Sequence, residues 1–307
     1  MQPTEILKDL FFFQRGYLNA NHFAWRGPDP VLIDTGYLGG VVETEQLLRT
    51  IGIAPAAIGM IVNTHTHCDH IGGNHYFQEK SDCRITLHTI GKYFMDMRDD
   101  WSPWWRYFHQ QAEFFNATTA IENGDVIAVG PYEFNVLHTP GHAADGIVLY
   151  HKPEGILISS DTLWENDMAV ANLRIEGSSA LFRMQASLDK LARLDVRMVY
   201  PGHGAPFTDM GAAIDRANTR IERFLSHPRK VGEDLLKKII VYTLMMRKSV
   251  DPDRLFDDLM KTRWFTETVD HYFEGAHALQ YQKVLQKLTQ RGIVRVENDR
   301  LVTTVSP

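Results

Sequence analysis

Residues 58–75 concentrate side chains that can do chemistry. An apolar run from Ile58 to Val62 stops at Asn63, and His65, His67, Asp69 and His70 follow within six residues. Such a pattern reads as a buried strand that delivers polar groups at its carboxyl end. Imidazole and carboxylate together suit zinc, iron or manganese. A lone histidine would more often be an exposed loop residue; four ligand-type residues at this spacing argue for a metal. They do not converge easily on one ion. His65 and His67 alternate and can share a side, whereas Asp69 and His70 point elsewhere, which suggests two neighbouring metals. Gly72 and Gly73 then let the backbone pass close to the site before a helix begins.

The flanking elements alternate β and α. Phe11–Phe13, 21–25 and 31–36 read as strands, with a Gly27-Pro28-Asp29-Pro30 turn between the last two. Helical spacing runs from Val41 to Ile51 and stops at Gly52; a short helix over 74–80 and a strand over 84–88 follow. Further strands are expected over 125–129, 132–137, 146–150, 155–160 and 196–200, with helices over 178–194 and 208–225. This is the rhythm of an α/β layer protein. Residues 90–119 interrupt it with a dense aromatic stretch that includes Trp101, Trp104, Trp105, Tyr107 and Phe108. Three readings stand for that insertion: a wall over the metal site, a dimer contact, or plain packing.

His-Thr-His-Cys-Asp-His at 65–70 resembles the His-x-His-x-Asp-His signature of the metallo-beta-lactamase fold. The rest of that family's pattern follows in order: His142 in Thr-Pro-Gly-His, Asp161 in Ser-Ser-Asp-Thr-Leu, and His203 in Tyr-Pro-Gly-His-Gly. The resemblance covers about residues 10–208. It implies a four-layer αββα sandwich and two divalent metal ions, zinc foremost, with iron or manganese as alternatives. It implies that His65, His67 and His142 bind one ion, that Asp69, His70 and His203 bind the other, and that Asp161 bridges them. Asp69 would also orient a metal-bridging hydroxide, formed because paired ions lower the pKa of water from about 15.7 to about 7. In this family the Asp-Thr-Gly segment at 34–36 lies beneath the metals, so Asp34 either supports a ligand from behind or caps the helix that follows. Cys68, between ligands, is expected to be a small filler facing away. His75 stands either behind the ligands or at a helix start on the surface; His88, His109, His138, His151, His227, His271 and His277 match no ligand pattern and are expected to be structural or exposed.

The tail differs. Apolar helices are expected over 235–246, 252–261 (capped by Asp251) and 275–290, followed by a hairpin around Glu297-Asn298-Asp299. Three helices and a hairpin make a winged-helix-like pattern, giving a metallo-beta-lactamase domain at 1–228 and a small C-terminal domain at 229–307. Metallo-beta-lactamase-fold proteins with such a tail include the beta-lactamase-like endoribonuclease group. The Pro-Gly-His-Gly at 201–204 and the Ser226-His227-Pro228-Arg229 segment are similar to that group's, although Pro228 stands where the group usually has Arg. Charge weighs against nucleic acid: residues 230–307 carry 13 Lys and Arg against 11 Asp and Glu, too weak a net charge for an electrostatic footprint.

The chain has 307 residues, a net charge of −6 and only two cysteines, Cys68 and Cys83. No disulfide framework, signal peptide or 20-residue apolar span is evident, so a cytoplasmic location is expected. There is no Gly-x-Ser-x-Gly motif for serine catalysis. Family members with diiron redox sites usually carry Glu at the second loop position, where this chain has His67. The expectation is a hydrolase similar to glyoxalase II and the lactonases, acting on a small ester, thioester or lactone. The alternative is a phosphodiesterase or endoribonuclease of the same fold. A homodimer is a further expectation from the aromatic insertion.

Overall fold

A computed structural model describes residues 2–307. The chain divides into two compact units. One runs to Trp105 and resumes at Gln111–Asn218; the other joins Arg106–Gln110 to Thr219–Pro307.

The first unit is built on two β-sheets. Seven strands form one, in chain order: β1 (Thr4–Leu7), β2 (Leu10–Phe13), β3 (His22–Trp25), β4 (Val31–Ile33), β5 (Met60–Val62), β6 (Arg84–His88) and β7 (Thr119–Ile121). Pairing is antiparallel from β1 to β4 and parallel from β4 to β7. Five strands form the other: β8 (Val126–Val129), β9 (Tyr132–His138), β10 (Ile147–His151), β11 (Ile156–Ser160) and β12 (Met198–Pro201), with only the β11–β12 pair parallel. That pair needs a crossover, which the amphipathic helix Ala180–Leu191 provides. Side chains from both sheets meet in one core that includes Phe12, Phe23, Ile33 and Val62 from the first and Phe134, Val136, Leu149 and Ile158 from the second. Period-2 patterning decides which face packs: in β8, Ile127 and Val129 are buried while Val126 and Ala128 are exposed. Strands β10 and β11 are buried throughout, as a strand covered on both faces must be. The result is the αββα sandwich.

The second unit holds helices Arg229–Arg247, Pro252–Met260, Arg263–Phe273 and His277–Gln290, then a hairpin of β13 (Val294–Glu297) and β14 (Arg300–Thr303). Asp251 caps the second helix, accepting hydrogen bonds from the backbone N–H groups of Asp253 and Arg254. The hairpin turns through Asn298 and Asp299, both at positive φ, which suits the strand twist. The tail therefore has four helices rather than the three expected. The extra helix, Arg263–Phe273, buries Trp264, Phe265, Thr268, Val269 and Phe273, an apolar stripe at helical spacing that lies between two stretches read as helices. The aromatic segment divides at Trp105. Tyr107 and Phe108 fall in the second unit, where Phe108 packs against Trp264 at a centroid distance of 6.0 Å. No helix among the described residues is long and apolar enough to cross a membrane.

Candidate metal centre

Four strand ends carry the candidate ligands to one edge of the sandwich. Strand β5 leads into 63–70, the loop from β9 to β10 contains His142, and Asp161 and His203 follow the parallel pair β11 and β12. In that pair Ser160 is in register with Pro201, which sets Asp161 beside His203. Ser160 adopts a left-handed φ of 48° and so turns the chain as β11 ends. Gly202 leaves the room this requires: a Cβ there would lie 2.2 Å from Asp161 Oδ1. Gly72 is equally constrained, since its Cβ would come within 2.1 Å of the Leu38 backbone nitrogen. What this glycine permits is close approach to the backbone of residues 36–38.

All seven expected ligands are buried and all seven are brought together. His65, His67 and His142 form one group with ligand atoms within 4.8 Å of one another. Asp69, His70 and His203 form a second, and Asp161 joins His65 and His70 in a third. The Asp161 carboxylate reaches both sides, with Oδ2 3.3 Å from His142 Nε2 and Oδ1 3.5 Å from His70 Nε2. Asp69 Oδ2 lies 3.2 Å from His203 Nε2.

Most of the imidazoles are fixed from behind. His142 Nδ1–H donates to the Val170 carbonyl at 2.9 Å, and His203 Nδ1–H to that of Gly16 at 3.0 Å. A carbonyl can only accept, so each ring must present its Nε2 lone pair to the site. His70 Nδ1 is held by Asp34 Oδ2 at 2.8 Å. Asp34 also accepts from the Thr64 backbone N–H (2.8 Å) and from the Thr64 hydroxyl (2.7 Å). Of the two roles open to Asp34, it takes that of ligand support; it sits at a left-handed φ of 59°, a region Asp tolerates better than most residues. Asn63, Asn74 and Thr35 complete the bracing beneath the loop.

Buried charge is arranged in opposition. Burial alone would raise the Asp161 carboxyl, but His203 and His70 hold it well below the usual carboxylate range. Burial would lower His70, but Asp34 and Asp161 hold it well above. Burial and neighbouring imidazoles keep His65 and His67 well below. The Nε2 atoms of His70 and His142, turned toward the site, are buried with no hydrogen-bond partner. Buried polar atoms seldom go unpaired. Convergent nitrogen lone pairs around one carboxylate fit divalent cations and would otherwise be a liability.

Further side chains surround the ligands, some of them in the aromatic stretch that the sequence marked. The Trp104 ring lies against His67, with centroids 4.0 Å apart. Trp105 Nε1–H donates to the Thr66 carbonyl at 2.9 Å, and Trp104 Nε1–H to Glu176 Oε1 at 3.0 Å. On the other side Tyr17 stacks on His203 at 5.8 Å, and Trp164 meets the same ring edge-on at 5.2 Å. Trp164 Nε1–H also donates to Asp161 Oδ1 at 3.3 Å. Aromatic density marked the 101–108 stretch, but nothing local marked Tyr17 or Glu176. Cys68 is fully buried, as a filler would be, while His88 stacks on His138 at 4.1 Å and serves no ligand group.

The sandwich and its cluster of buried His and Asp side chains are those of a metallo-beta-lactamase scaffold, and comparison with known proteins agrees. The metallo-beta-lactamase superfamily model matches residues 24–203, and the chain belongs to that superfamily, whose fold implies divalent metal ions. The probable metallo-hydrolase YqjP of Bacillus subtilis is 26% identical over 200 residues, which span 56% of this chain and 62% of that protein, less than two thirds of its length. Human acyl-coenzyme A thioesterase MBLAC2 is 26% identical over 227 residues, spanning 66% of this chain and 77% of that one. Among solved structures, a metallo-beta-lactamase family protein from Thermus thermophilus matches with a TM-score of 0.61 at 22% identity, over 97% of this chain and 99% of that one.

Proposed function

We propose that this chain is a two-metal hydrolase of acyl thioesters. The observation that carries the reading is the pair of ligand groups that share Asp161: His65, His67 and His142 on one side, Asp69, His70 and His203 on the other. Divalent ions held there, zinc foremost, would supply Lewis acidity and a water acidified toward neutral pH. The carboxylate of Asp161, placed between the two groups, would offset repulsion between two such cations. Asp69 orients the attacking water by accepting its hydrogen bond at a carboxylate oxygen. The water oxygen bonds to the acyl carbon, the carbon–sulfur bond breaks, and the thiolate leaves and takes up a proton. Tyr17 and Trp164, beside His203, offer an aromatic surface for an apolar acyl group. The thioester class is supported by the likeness to the MBLAC2 thioesterases.

The test pairs elemental analysis with a panel of acyl-coenzyme A thioesters, lactones and a phosphodiester. About two metal ions per chain, with thioester turnover lost in His65→Ala and Asp161→Ala, is the expected result. Turnover of lactones or phosphodiesters without thioesters would overturn the substrate class, and absence of metal after metal-supplemented growth would overturn the mechanism.

A further inference from the structure

His67 is the one histidine of the candidate set that nothing polar supports from behind. Its Nδ1 faces His65 Nε2 at 3.0 Å, and its Nε2 has no partner. The other four each have a carbonyl, carboxylate or hydroxyl at the far ring nitrogen. What touches His67 instead is Trp104, whose ring lies 4.0 Å away at 37° and also meets His142 edge-on at 5.0 Å. Trp104 is buried and holds a left-handed φ of 71°, a conformation that bulky residues rarely adopt and that persists only where surroundings impose it. Its indole N–H is fixed by the buried carboxyl of Glu176, 72 residues away. The adjacent Trp105 holds the Thr66 carbonyl, in the middle of the His-Thr-His turn.

We infer that Trp104, fixed by Glu176, is a positioning residue that substitutes a ring contact for the missing hydrogen bond and holds the His67 imidazole in its ligating orientation. Burial raises the Glu176 carboxyl to about 7, so near neutral pH it can serve as an acceptor without a full charge in the core. The device rests on the metal-centre reading but not on the substrate class.

The test measures metal affinity rather than turnover. Trp104→Leu, Glu176→Leu and Glu176→Gln are purified, checked by circular dichroism, and titrated with zinc against a chromogenic chelator; cobalt(II) spectra are recorded in parallel. The expected result is about 10–100-fold weaker binding of one of the two ions in Trp104→Leu and Glu176→Leu, the range for losing a ligand's supporting partner. The cobalt spectrum of that ion should change. Glu176→Gln, which keeps the acceptor oxygen, should restore affinity, an outcome that simple loss of packing would not give. Should Trp104→Leu fail to fold, the Glu176 pair carries the test. Wild-type affinity and spectrum in Glu176→Leu would overturn the clamp alone. A wild-type chain that binds no metal would overturn the reading of the site, and the clamp with it.

Discussion

The two halves of the candidate metal centre are built from similar ligands but set in different surroundings. The His65, His67 and His142 half is closed over by Trp104, which is only 4% exposed. The Asp69, His70 and His203 half is flanked by Tyr17, which is 43% exposed, and by the partly buried Trp164. The closed half is braced by the Val170 carbonyl, the Thr64 and Ser160 hydroxyls and an indole ring. The open half has the Gly16 carbonyl behind His203 and the buried Asp34 carboxylate behind His70. Similar ligand sets are therefore held in two surroundings, one closed by a buried indole and the other bordered by an exposed phenol ring.

Four measurements would break or sharpen that comparison. The largest effect belongs to the residue common to both halves. Asp161→Ala should lower kcat by more than about 100-fold and reduce bound metal in both halves, since it removes a candidate ligand rather than a ligand's support. Retention of two tightly bound ions would show that the halves are independent. Next, Asp34→Asn keeps the left-handed backbone tolerable but removes the charge behind His70. It should weaken one ion by about 10–100-fold and leave the other untouched, as chelator titration would show. Loss of both ions together would erase the distinction. On the open half, Tyr17→Ala should raise KM for long-chain acyl thioesters by about 10-fold, with metal content intact. That corresponds to loss of roughly 1.4 kcal/mol of apolar contact. An equal effect on short-chain substrates would argue against an acyl surface. The smallest effect lies outside both halves. Burial, and then His138, lower the His88 imidazole to about 4. Between pH 6.5 and 4 the unfolded chain then binds more protons than the folded one, so stability falls as pH drops through that window. His88→Gln should flatten this slope by about 1 kcal/mol in denaturant melts of the chelator-treated protein.

The legible part of the molecule was the local part. Strand β5 and its ligand loop could be read because buried strand, polar turn and glycine are neighbours in sequence. The hairpin could be read because Asn298 and Asp299 are turn-formers set between β-branched runs. Helix Arg263–Phe273 went unread although its apolar spacing is regular, because the expected tail pattern already accounted for its neighbours. Strand β1 is half exposed and strand β7 has only three residues, so neither left a clear apolar alternation. The 106–110 segment joins the second unit for reasons of packing that no local pattern reports.

By itself, the sequence determined which residue types were available and which strand end would carry each. Spacing within 65–70, with the three later motifs, is covalent information that folding does not alter. Only the tertiary structure decided what stands behind and beside each ligand. Asp34 meets His70 across 36 positions, Val170 meets His142 across 28, and Glu176 reaches Trp104 across 72. Those contacts arise because two sheets, paired in a particular register, bring distant loops to one edge. Hydrogen bonds and ring contacts depend on separation in space, and separation along the chain carries almost no trace of it.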